Sequence, residues 1–200
     1  MRTMWNTEDD FMAFFITRFR NEMFGMHIWP KITSIGGIET RPELDLVDID
    51  PYDQKIIGWE FKLVKRSSRE YNPFYSGIGQ ALCYFRYGVD HIYLVVGFSE
   101  DISYEEYANT WVDMINSIGN LFTYTITNDR FGIMTYSRAG NNEDIRTFPP
   151  QGLRGKFPLP GPQPRGYINE AAVNRANLFA LRYNQEKGRN FFRKYHLKGF

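Results

Sequence analysis

Two hundred residues at 42% hydrophobic and 24% charged content are enough for one well-buried core, or one core with an appendage, and exclude a disordered chain. A single cysteine, Cys83, excludes an internal disulfide framework, a cysteine-built zinc site and a one-chain iron–sulfur cluster, and points to a reducing compartment. The net charge of +1 is unevenly spread, since residues 151–200 hold ten Lys or Arg against Glu170 and Glu186 (net +8) and the first 150 hold 14 basic and 21 acidic residues (net −7), an asymmetry that points to a polyanionic partner.

The N-terminal stretch MRTMWNTEDD has no apolar signal segment, and no run approaches the roughly 18–20 apolar residues that span a bilayer. A cytoplasmic protein is therefore expected. From Thr7 to Phe24, Phe11, Phe15, Phe19 and Met23 recur at helical spacing with Met12 and Ile16 beside them. Thr7 is a predicted N-cap, followed by the acidic first turn Glu8-Asp9-Asp10. Residues 26–38 read as an irregular strand ending in a Gly-Gly turn.

Two strands follow, Leu44 to Ile49 and Ile56 to Val64, joined by the turn residues Asp50-Pro51-Tyr52-Asp53. Asp48, Asp50 and Asp53 read as turn and solvation residues. A helix is expected from about Ser76 to Tyr87, with Gly77-Ile78-Gly79 as flexibility at its start. The run HIYLVVGF (91–98) has the continuous apolar character of a strand buried on both faces. The interval from 65 to 90 allows a helical crossover, which places 91–98 parallel to 56–64.

A third helix is expected from about Tyr104 to Ile118, then a hairpin over 121–137 turning at Asn128-Asp129. Pro149 to Gly166 holds six prolines and reads as a linker or wrapping arm. A final helix is expected from Asn169, ending in the aromatic-basic string NFFRKYHLKGF. Its basic residues are either a solvated helix face or a nucleic-acid grip in which Arg189, Arg193, Lys194 and Lys198 interleave with rings. A third option is an arm that crosses to a second subunit. The 17 Phe and 13 Tyr fit a ring-built core or a base-stacking surface.

The chemistry concentrates in RPELDLVDID, GWEFKLVK and GIGQALCY. With a turn centred between Tyr52 and Asp53, Asp45 faces Glu60 and Glu43 faces Lys62. Directly opposed strand residues hold their Cβ atoms roughly 4.5–5.5 Å apart. Two carboxylates that close repel unless a cation lies between them, and Mg²⁺ suits one or two carboxylates plus waters. Strand alternation sets Glu60 and Lys62 on one face and Phe61 on the other, in the core. Lys62 can then position or deprotonate a water, or offset charge on a phosphate.

Asp45 followed fifteen residues later by Glu60-Phe61-Lys62 resembles the PD-(D/E)XK nuclease superfamily. Gln80 to Tyr84 (QALCY) resembles the Q-x-x-x-Y element of its RecB-like members, and the order of elements over residues 8–98 is similar. The residue before the aspartate is Leu44, with Pro42 displaced, so the literal P-D pair is absent. The iron–sulfur cysteines of some RecB-like exonucleases are missing too.

The resemblance implies that Asp45, Glu60 and the Phe61 carbonyl bind Mg²⁺ or Mn²⁺, with Lys62 catalytic. Gln80 would orient the water or a phosphate from a helix N-terminus, and Tyr84 would support it. Tyr84 also joins Arg189, Arg193 and Lys194 as a candidate nucleic-acid contact. Glu8, continuing the inward stripe, is the candidate first-helix ligand, and Glu22 is its rival.

The expected fold is α/β: a restriction-endonuclease-like mixed central sheet flanked by helices. Residues 1–148 would form the nuclease core, and 149–200 a Pro/Gly-rich arm with a basic C-terminal helix and tail. The expected function is metal-dependent hydrolysis of DNA phosphodiester bonds, as a homodimeric endonuclease or a Holliday junction resolvase. The alternative is a non-catalytic nucleic-acid-binding module that retains the fold.

Overall fold

Thr7 caps the first helix, α1 (Glu8–Met23). Its Oγ1 accepts from the Asp10 N–H at 3.1 Å, while the Asp10 carboxylate accepts from the Thr7 N–H at 3.0 Å. The reciprocal pair satisfies backbone donors that a helix start leaves open. The computed structural model describes residues 5–24, 27–50, 55–67, 72–124, 130–139, 142–148, 176–178 and 186–197.

After α1 the chain runs through β1 (His27–Ile35), β2 (Ile38–Asp50) and β3 (Lys55–Val64), then α2 (Asn72–Cys83) and a 3₁₀ turn over Tyr84–Tyr87. It continues with β4 (His91–Phe98), α3 (Tyr104–Tyr124), β5 (Phe131–Ala139), β6 (Asn142–Phe148) and α4 (Glu186–Lys194). The six strands form one sheet in chain order, β1 to β6. The first three make an antiparallel meander, β3, β4 and β5 run parallel, and β6 returns antiparallel. Helices α2 and α3 supply the long connections that parallel neighbours require.

Each face of the sheet carries its own core. On one, Phe74, Ile78, Ala81 and Tyr84 from the α2 region and Tyr107 and Met114 from α3 cover Val47, Ile56, Leu94 and Val96. On the other, Phe11, Phe15 and Phe19 of α1 and Phe191 and Phe192 of α4 cover Leu46, Trp59, Phe61 and Val95. Phe61 meets Phe11 and Phe15 edge-on, with centroids 6.1 and 5.7 Å away, the geometry aromatic quadrupoles favour. An ideal Cβ on Gly97 would sit 2.7 Å from the Phe11 ring. Only glycine lets α1 lie this close to β4.

The α/β architecture with a mixed, helix-flanked sheet is as expected, and so is β4 parallel to β3. Four local readings need correction. Helix α2 begins at Asn72 rather than Ser76, because Pro73 suits a first helical turn, where its missing N–H costs nothing. Gly77 and Gly79 therefore lie inside the helix. The hairpin over 121–137 is absent: α3 runs on to Tyr124, and β5 pairs in parallel with β4. The antiparallel partner of β5 is β6, a polar edge strand whose sequence NEDIRTF has no apolar alternation to betray it. Asp48 is buried in the sheet, 4% exposed, instead of solvating a turn.

The turn residues Pro51 and Asp53, the arm over 149–166, the start of the final helix at 169, and Lys198 lie outside the described residues. Phe191 and Phe192 are each 4% exposed, so α4 is part of the core on its face of the sheet. No helix among the described residues is long and apolar enough to cross a membrane.

Candidate active site

Strands β2 and β3 pair as Leu46↔Trp59, Val47↔Gly58, Asp48↔Ile57, Ile49↔Ile56 and Asp50↔Lys55, the register expected from the sequence. One step further along it, Asp45 stands beside Glu60. The ladder stops here, and the Phe61 N–H donates to Asp45 Oδ2 at 2.9 Å in place of a strand carbonyl. A strand residue aims its N–H and C=O to the same side, so the Phe61 carbonyl faces the Asp45 side as well. Glu43, which the same register would set against Lys62, pairs with Lys31 and Lys187.

Asp45, Glu60 and Lys62 are 9, 2 and 7% exposed. Such burial is tolerable for charges only when they are paired and hydrogen-bonded. Lys62 Nζ lies 2.6 Å from Glu60 Oε1 and 3.5 Å from Glu8 Oε2. The Tyr84 hydroxyl accepts from the Asp45 N–H at 2.7 Å and donates to Glu60 Oε2. Gly77 makes the space for this: a Cβ there would be 2.8 Å from Lys62 Cγ. Gly58 does the same for the Tyr84 ring, at 2.6 Å.

Burial, and then the neighbouring charge of Asp45, pushes the Glu60 carboxyl up to about 7, against the opposing pull of Lys62 and Tyr84. Burial works against the charged form of Lys62, yet Glu60 and Asp45 outweigh it and hold the amine above its ordinary pKa. Lys62 is thus an ammonium, suited to offsetting negative charge rather than to removing a proton. Tyr84 is raised well above a free phenol by burial and by both carboxylates, so it remains a donor.

Lys31 was not singled out by the sequence. Its Nζ lies 2.8 Å from Asp45 Oδ1, 2.9 Å from Asp9 Oδ1 and 3.9 Å from Glu43 Oε1. Its trace in the sequence is a single cation within the apolar strand HIWPKITSI, too common a pattern to read alone.

Other expected residues take different places. Gln80 lies near the end of α2, not at its N-terminus, and its Oε1 is buried with no hydrogen-bond partner among the described residues. Tyr84 is fully buried, so it works inside the site and offers no surface to nucleic acid. Glu8, at the start of α1, is exposed and reaches Lys62, whereas Glu22 pairs with Arg18 at 3.7 Å, almost at the far end of the helix. On α4, Arg193 and Lys194 are exposed and Arg189 is partly buried. This helix reaches the site region through Lys187 to Glu43 and through Tyr195, just beyond it, to Asp10 at 2.8 Å.

Among the described residues no three His, Cys, Asp or Glu side chains form a ready metal cage. The donors present nevertheless suit Mg²⁺ or Mn²⁺, which bind through one or two carboxylates and keep several waters. Asp45 and Glu60 repel each other, and a divalent cation relieves that repulsion. No family model matches the chain, and neither does any curated protein or solved structure.

Proposed function

We propose that this chain is a metal-dependent nuclease of the PD-(D/E)XK type that hydrolyses DNA phosphodiester bonds. The observation that carries the reading is the meeting of Asp45, Glu60 and Lys62 where the β2–β3 ladder ends, all three buried. The order helix, three antiparallel strands, helix, parallel strand supports a restriction-endonuclease-like core.

Asp45, Glu60 and the Phe61 carbonyl would hold Mg²⁺ or Mn²⁺, with Glu8 at the rim. When bound, the ion supplies Lewis-acid charge beside the phosphate and lowers the pKa of water. The Lys62 ammonium offsets the charge that builds on the phosphate in the transition state. Gln80, whose buried Oε1 has no partner among the described residues, would orient a water by accepting one of its hydrogens. Tyr84 fixes the Glu60 carboxylate, and α4 lays positive charge along the path of the DNA backbone.

The test is cleavage of labelled linear, single-stranded and four-way-junction DNA with Mg²⁺, Mn²⁺ or EDTA. Glu60→Gln and Lys62→Ala are expected to cut rates by roughly a hundredfold or more, and EDTA to abolish cutting. Preference for the junction, with a two-chain species in sedimentation, would make the protein a dimeric resolvase. Cutting that survives both substitutions would sink the assignment.

A second reading rests on one observation: both site carboxylates already hold an ammonium, Asp45 that of Lys31 and Glu60 that of Lys62. A fold kept for binding alone would tolerate such a neutralised site. It predicts a DNA complex that forms equally well in EDTA and never turns over.

A further inference from the structure

The Asp45 carboxylate has two oxygens with different partners. Oδ2 accepts from the Phe61 N–H, a donor fixed in the sheet. Oδ1 accepts from Lys31 Nζ, at the end of a flexible side chain. Oδ1 is therefore the oxygen whose present partner can leave without disturbing the sheet, and Lys31 holds that position.

The surroundings of Lys31 are arranged to keep it there and to receive it when it leaves. It lies between the pairs Pro30↔Leu46 and Ile32↔Leu44 of the β1–β2 ladder, across from Asp45. Its backbone has φ +53°, a left-handed conformation that is unfavourable for a non-glycine residue. Its side chain is 12% exposed, against 41% for Asp9 and 25% for Glu43. Asp9 at 2.9 Å and Glu43 at 3.9 Å offer the ammonium alternative acceptors toward solvent. Leaving Asp45 thus does not strand a buried charge.

We propose that Lys31 is a resident counter-cation of the site, which a divalent metal must displace from Asp45, so that this lysine sets the metal concentration at which the enzyme loads. The inference rests on Asp45 being a metal ligand. Lys31 holds the metal-free site together by neutralising Asp45, and it weakens metal binding by the same interaction. Once released toward Asp9 and Glu43, it stands at the rim of the site as an added positive charge.

Two measurements on the full chain test this. The first is titration of metal-free protein with MnCl₂, read by calorimetry and by the electron paramagnetic resonance of free Mn²⁺. Lys31→Met keeps the apolar stem and removes the charge, and is expected to tighten Mn²⁺ binding by about tenfold or more at low salt. Asp45→Asn, alone and combined with Lys31→Met, is expected to abolish binding at the site. The second uses native protein and needs no variant: brief acetic anhydride labelling, read by mass spectrometry, with and without saturating Mn²⁺. Metal is expected to raise Lys31 acetylation at least threefold relative to Lys55.

Unchanged or weaker Mn²⁺ binding in a folded Lys31→Met protein would overturn the role of Lys31 while leaving the metal site intact, provided Asp45→Asn still abolishes binding. Equal labelling of Lys31 with and without metal would overturn it too. If no protein binds Mn²⁺, the metal reading falls and takes this inference with it. Binding seen only after Lys31→Met, and lost again with Asp45→Asn, would support the inference strongly.

Discussion

At the scale of single residues, the site depends on positions that carry no chemistry of their own. Gly77→Ala should gain roughly 0.5–1 kcal/mol of helix propensity. It also drives a methyl group to 2.8 Å from Lys62 Cγ and 2.7 Å from Leu94 Cδ1, and overpacking costs roughly 1–3 kcal/mol. The clash outweighs the gain, so a small net loss in urea unfolding is expected. Cleavage should fall by on the order of tenfold to a hundredfold as the ammonium moves. A folded variant with native cleavage would show that Lys62 does not need this placement. Tyr84→Phe removes the hydroxyl shared by the Asp45 N–H and Glu60 Oε2, and should cost about 1–3 kcal/mol for the buried groups left unsatisfied. Full native stability in thermal unfolding would mean that another partner replaces the hydroxyl. The meeting of Asp45, Glu60 and Lys62 is legible in the sequence because charged residues in apolar strands stand out against the alternation and the turn sets the register, whereas Gln80 stands out only through the resemblance. Lys31 is not legible, since its importance comes from a left-handed bend and from acids distant in the chain, neither of which has a local signature.

Among the elements, α1 and α3 carry strong start signals in the sequence, and α2 and β6 do not. Thr7 with Asp10 announces α1. The same device starts α3: the Ser103 N–H donates to Glu106 at 2.8 Å and the Glu106 N–H to Ser103 Oγ at 3.2 Å. The Ser103 N–H, and then the Arg66 guanidinium 2.8 Å away, lower the Glu106 carboxyl to about 2. Its folded pKa lies below the unfolded value near 4.5. The contribution to stability is therefore present above that value and disappears as the pH falls toward 2. Glu106→Gln should lower the melting temperature at pH 7 and show a shallower loss than the native protein between pH 4.5 and 2. Parallel pH curves for the two proteins would deny the carboxylate this role. The start of α2 was displaced because Asn72-Pro73 serves equally as a turn or as a first helical turn. Strand β6 escaped notice because a charged edge strand has no buried face to impose alternation.

For the molecule as a whole, the charge asymmetry between a −7 body and a +8 C-terminal fifty residues takes a definite form at Lys187, Arg189, Arg193 and Lys194, the basic residues of α4. Phe191 and Phe192 bury α4 against the α1 face, while the Lys187–Glu43 and Tyr195–Asp10 contacts fix it beside the acidic site. Under the proposed function, basic side chains anchored this way would serve as a positioning surface, separate from the groups proposed for chemistry. Their effect should appear in the salt dependence of DNA binding. Each phosphate neutralised contributes a slope of about −0.9 in log affinity against log salt. Arg189→Ala combined with Arg193→Ala should thus make the slope shallower by about 2 if each contacts one phosphate, and weaken binding equally for all sequences. Lys62→Ala, buried in the site, should reduce cleavage and leave that slope nearly unchanged. Fluorescence anisotropy from 50 to 300 mM KCl, with Ca²⁺ in place of Mg²⁺ to hold back turnover, separates the two effects. A slope unmoved by the double arginine variant would take α4 out of the DNA path and return its charges to the role of a solvated helix face.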